Sequence, residues 1–93
     1  MASRKKCEQY AAAHNLTIDF AYWREFGGRC YRYSVDLPDG MITADGYCGK
    51  AGEESDSDFT APQVWDYILD DMVSLVEQEW LTLADYEAAQ QTA

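Results

Sequence analysis

Four carboxylates fall within six positions in Glu53-Glu54-Ser55-Asp56-Ser57-Asp58. Carboxylates at that density can hold a hard cation, so a calcium loop is the first chemistry to weigh. Such a loop takes oxygen ligands at positions one, three and five, a glycine at six and a bidentate glutamate at twelve. Counted from Asp56, the fifth position is Thr60, the sixth Ala61 and the twelfth Tyr67. Counted from Glu54, the sixth is Phe59 and the twelfth Trp65. Both counts fail. Ser55 and Ser57 sit among acids as an acidophilic kinase accepts them, a pattern that also arises often by chance.

Other chemistry is thinly represented. Cys7, Cys30 and Cys48 are three in number and lack a C-x-x-C spacing. An odd count in so small a domain reads as reduced thiols, partly buried, in a cytoplasmic protein. A zinc site would recruit His14, the single histidine, but seven residues separate it from Cys7, a weak ligand pattern. Nucleophilic catalysis by Cys7 and His14 lacks an orienting third group. The glycines match neither nucleotide-binding loop. Acids are too numerous to single out a catalytic pair. The chain is therefore expected to be no enzyme and to carry neither metal nor cofactor.

Charge is the strongest compositional signal. The 93 residues carry a formal net charge of -10, yet 47% are hydrophobic, which argues for a folded core. Residues 1–32 hold six Lys/Arg against three Asp/Glu, whereas residues 51–93 hold eleven Asp/Glu and no Lys or Arg. That acidic half opposes direct contact with nucleic acid or an anionic membrane. The basic start, Arg4-Lys5-Lys6, is followed by no apolar run, so neither a leader peptide nor a membrane span is expected.

The elements that must position these groups follow from periodicity. Cys7, Tyr10, Ala11 and His14 share a helical face over about residues 4–14, capped by Ser3 and ended by a left-handed Asn15. Ile18, Phe20, Tyr22 and Phe26 then alternate as one face of a strand. Gly27-Gly28 predicts a hairpin with Phe26 opposite Arg29, Tyr22 opposite Tyr33, Phe20 opposite Val35 and Trp23 opposite Arg32. The turn Leu37-Pro38-Asp39-Gly40 leads to a third strand over about 41–48, with Ile42, Ala44 and Cys48 inward. Residues 53–59 read as a flexible acidic loop before a helix. Thr60 and Gln63 form a capping box there, and Phe59 with Val64 forms a hydrophobic staple. That helix, about 61–79, buries Val64, Trp65, Ile68, Leu69, Met72, Leu75 and Val76. A second cap at Thr82 starts a short helix over about 83–90, which docks by Leu83 and Tyr86.

These elements predict a single small α+β domain over residues 1–93. A three-stranded antiparallel sheet carries helices on one face, in the order α-β-β-β-α-α. The α-β-β-β-α portion resembles double-stranded-RNA-binding domains. Their basic cluster at the last helix is replaced here by Asp56, Asp58 and Asp66, so RNA binding does not carry over. In overall style the chain is similar to small acidic accessory proteins of bacteriophages, some of which inhibit host defence systems or host enzymes. That resemblance implies stoichiometric binding to a basic cleft of a host protein. Helix acids a turn apart stand about 6 Å from one another, close to the roughly 7 Å spacing of phosphates along a strand.

The sequence thus predicts a non-enzymatic acidic binding protein, an inhibitor or nucleic-acid mimic. Its partner is a basic, nucleic-acid-binding protein, engaged by Glu53, Glu54, Asp56, Asp58, Asp66, Asp70, Asp71 and Glu77. The alternative is an interaction module using the outward sheet face, with Trp23, Arg32 and Tyr47 at the interface.

Overall fold

The computed structural model describes residues 2–25, 27–56 and 61–91. Helix α1 spans Arg4–Ala13, and the Ser3 hydroxyl accepts from the Lys6 N–H, as the cap signal predicts. Asn15 turns left-handed at φ 59. This lets Leu16 N–H reach Ala11 O at 2.8 Å and Asn15 N–H reach Ala12 O at 3.4 Å, a Schellman closure that buries Leu16.

Strands β1 (Thr17–Glu25) and β2 (Gly28–Asp36) form the expected hairpin, shifted by two residues. Tyr22 faces Tyr31, Phe20 faces Tyr33, Ile18 faces Val35 and Trp23 faces Cys30. Glu25 pairs with Gly28, and Gly27 supplies the positive φ of 74. Gly28 is therefore strand rather than turn. A two-residue slip preserves the inward face, because side chains alternate with period two. Alternation alone could not separate the two registers. The expected Phe26 partner lies outside the described residues, while Arg29 pairs with Arg24.

The third strand of this sheet is a larger correction. β3 is only Met41–Thr43, and it pairs with β5 (Trp80–Thr82) in a separate small sheet. Residues 44–48 turn. The main sheet instead takes β4, Gly49–Asp56, in the order β1-β2-β4. Residues 53–56 are therefore strand, where the sequence suggested a flexible loop. In its register Arg32 stands opposite Glu53, a pair of opposite charges. Such cross-strand pairing offsets the low strand propensity of glycine and acids.

Helix α2, Ala61–Val76, lays its apolar stripe across the inner face of β2. Val64, Ile68, Met72 and Leu75 are fully buried, and they cluster with Tyr31, Tyr33, Val35, Cys7 and Leu16. The helix ends three residues earlier than its period suggests. The Trp80 indole N–H donates to Leu75 O at 2.8 Å, capping that terminus. The Thr60 cap and Phe59 staple lie outside the described residues.

Helix α3, Leu83–Gln91, begins with the Thr82 hydroxyl accepting from Asp85 N–H. It packs on the small sheet, with Tyr86 against Gly46. Leu83, expected to dock, is 50% exposed. The fold is thus α+β, with the element order α-β-β-β-β-α-β-α. Two layers give it a thickness of only 17 Å, and the outer face of the main sheet is uncovered by any described element.

Candidate functional site

At about 100° per residue, Asp66, Asp70 and Glu77 project from α2 and its last turn within roughly 40° of one another, away from the core. Asp71 points to the flank. Their surroundings divide them. Asp66 is half-buried and accepts from the Ala2 N–H, tying the N-terminus to α2. Asp71 is half-buried and accepts from the Tyr33 hydroxyl at 2.6 Å. Asp70 and Glu77 are exposed. Only these two are displayed freely, so two of the four expected helix acids are structural anchors.

The acids of β4 divide by sheet face. Glu53 points to the open face and is exposed. Glu54 lies on the helix side, accepting from the Tyr31 hydroxyl at 3.3 Å. Asp56 ends the strand. Asp58 lies outside the described residues. The eight acids are therefore not one continuous face. Arg4 pairs with Glu8 at 2.9 Å, whereas among the described residues Glu53, Asp70 and Glu77 form no ion pair.

Burial, and then the bond to Asp71, raise the Tyr33 pKa well above its ordinary 10.0. A raised folded pKa favours the proton-bearing form in the native state. The Tyr33–Asp71 contribution is thus complete below about pH 10 and is lost as pH rises toward the folded value. Tyr33→Phe is expected to cost about 1–2 kcal/mol at neutral pH, by urea denaturation, because a hydrogen bond to a carboxylate is lost while Asp71 keeps some water. The cost should shrink above pH 10; an undiminished difference there would argue against the bond.

The alternative interface also divides. Trp23 is half-buried on the open sheet face, and its indole N–H donates to Glu25 Oε2 at 3.2 Å. Arg32 is exposed on the same face but sits opposite Ala21, so the direct Trp23–Arg32 pairing expected from sequence is not formed. Elsewhere Arg4 lies over the Trp65 ring at 5.7 Å, a cation–π contact. Tyr47, 55% exposed, follows β3 at the far end of the sheet. It lies about 20 Å along the strands from Trp23 and cannot share its patch. Between them the open face holds a cleft of about 280 Å³, lined in part by Asp19, Ala21, Arg32, Ser34 and Glu53.

The groups weighed for chemistry have structural partners. The Cys7 thiol is buried and donates to Trp65 O at 3.4 Å; burial, and then Asp66, raise its pKa. His14 packs on Tyr10, with ring centroids 4.4 Å apart. Among the described residues no three His, Cys, Asp or Glu side chains are grouped to hold a metal ion. No described helix is long and apolar enough to cross a membrane.

Several anchors escaped the sequence reading. Trp80 and β5 offered only three residues, too few for a period. The bond from Ala2 to Asp66 spans 64 positions and has no local signature. Comparison with family models, with curated proteins and with solved structures gave no match.

Proposed function

We propose that this chain is a non-enzymatic acidic binding protein that engages a basic surface of another protein. Asp70 and Glu77, displayed together on the outer side of α2, supply the centre of the contact, and the mode is stoichiometric inhibition or mimicry of nucleic acid. One observation carries this reading: exposed acids stand where they cost stability. Asp70 lies four residues from Asp66 and repels it. Glu77 follows the C-terminus of α2, where the helix dipole disfavours negative charge. Neither forms an ion pair among the described residues. Asp66 and Asp71 hold the helix in place rather than meet the partner. Three cysteines, two buried and one exposed, suit a reducing, cytoplasmic setting.

A second reading rests on the open sheet face. No described element covers Trp23 and Arg32, so that face suits an interaction module without any role for the acids.

The test uses the immobilised chain, bacterial lysate and three variants. Glu53→Gln, Asp70→Lys and Glu77→Lys together alter exposed side chains only. The neutral change at 53 avoids setting a lysine opposite Arg32. The fold should survive with a loss of about 1 kcal/mol or less. Basic nucleic-acid-binding proteins should be retained at low salt, be released as salt rises, and compete with a DNA duplex. The triple variant should bind such a partner at least about tenfold more weakly. Trp23→Ala should leave binding intact. A partner that keeps full affinity for the folded triple variant and loses it on Trp23→Ala would establish the second reading instead.

A further inference from the structure

An antiparallel sheet that turns one face to water usually carries polar side chains there. The open face of the main sheet departs from this at its centre. Ala21 on β1, Ser34 on β2 and Ala51 on β4 are small, and they floor the cleft of about 280 Å³. Its rim is charged: Asp19 on β1, Arg32 on β2 and Glu53 on β4 are all exposed. Arg32 stands opposite Glu53. Even so, none of these three side chains forms a hydrogen bond or ion pair among the described residues. One cation and two carboxylates thus face a single depression with their bonding capacity unused.

We propose that this cleft binds a free basic α-amino acid, with lysine as the type. The charges complement one another in number: lysine offers two ammonium groups and one carboxylate to a rim of two carboxylates and one guanidinium. They also agree in spacing. Arg32 and Glu53 are neighbours across one strand spacing, about 4.8 Å. The α-carboxylate and α-ammonium of an amino acid are neighbours too, held on one carbon. The first meets Arg32, whose guanidinium fork accommodates a carboxylate through two parallel bonds. The second meets Glu53.

Asp19 then receives the side-chain ammonium. Ser34 stands opposite Asp19 on one side and Ala51 on the other. Asp19 and Glu53 are therefore two strand spacings apart and two residues out of row, or roughly 12 Å between Cα atoms. The two ammonium groups of an extended lysine are roughly 7 Å apart. The inward reach of the two carboxylates closes the remainder. The ligand's methylene chain passes over Ser34, between Ala21 and Ala51, where longer side chains would block it. A diamine lacks the group that meets Arg32, and an acidic amino acid adds charge of the rim's own sign. Helix α2 packs on the other side of the sheet, so lysine binding here goes beyond the contact proposed for Asp70 and Glu77 and succeeds or fails separately.

The test is an NMR titration of the full chain with L-lysine at constant ionic strength. It is run near pH 6, where the amines are protonated and the carboxylates ionised. The backbone amides of Ala21, Ser34 and Ala51 should shift together, with a Kd on the order of 1 mM, ordinary for a ligand of about ten non-hydrogen atoms in an open cleft. Lysinamide, which lacks the carboxylate, should bind roughly fivefold more weakly, and so should norleucine, which lacks the side-chain ammonium. Unspecific attraction to an acidic protein predicts the reverse for lysinamide, which is more cationic than lysine. Arg32→Gln should remove the preference for lysine over lysinamide. If that variant disturbs the fold, the analogue series on the wild type decides alone. No shift at about 20 mM lysine, lysinamide binding as tightly as lysine, or shifts centred on α2 instead of the cleft would each overturn the proposal.

Discussion

Valine at position 52 should cost the protein roughly 2–5 kcal/mol. Gly52 faces Tyr33 in the β2–β4 register, and the Tyr33 ring lies over the space a side chain would occupy. A β-carbon built there falls 2.5 Å from ring Cε2 and 2.6 Å from Cζ. Those atoms are not at the end of a flexible chain. The ring is buried among Val35, Tyr31 and α2, and its hydroxyl is anchored on Asp71. A branched side chain must expel the ring, break that bond and open the core beneath α2. Overpacking alone accounts for about 1–3 kcal/mol, and the lost bond for a further 1–2. Urea denaturation of Gly52→Val, Tyr33→Ala and the double variant gives the check. With the ring removed, valine should add little, so the two costs should fall well short of adding. Full additivity would show that the Tyr33 ring is not what forbids a side chain at 52.

Ile68→Ala is expected to be comparably damaging, at about 3–5 kcal/mol, or a fall in melting temperature well above 10 °C. Ile68 is fully buried at the middle of α2, where the helix crosses β2. Val64, Met72 and Leu75 flank it with no exposure of their own. A two-layer domain has little mobile material to refill the space, so the cavity term should be retained rather than relaxed. Leu69, one residue on, is only half-buried and provides the internal comparison. Leu69→Ala should cost clearly less. Equal losses at 68 and 69 would mean that α2 does not present this stripe to the sheet.

What the sequence by itself determined was local. The Ser3 and Thr82 caps, the left-handed Asn15, the alternating face of β1 and the buried stripe of α2 each depend on residues within a turn or two of one another. Short-range sterics and hydrogen bonding settle such features. Tertiary structure alone decided the rest. The hairpin register moved by two because period-two alternation is blind to such a shift, and the turn around Gly27 chose between the registers. The stretch from Gly49 to Asp56 has the composition of a solvated loop, and only the waiting edge of β2 makes it a strand. Its acids then fall on opposite sheet faces. The likeness among eight acids in sequence gave way to distinct environments: Asp66 holds the N-terminus and Asp71 holds Tyr33. Asp70 and Glu77 remain in water. Charge can be counted along a chain, but whether a carboxylate is an anchor or a displayed contact depends on which distant donor the fold brings to it.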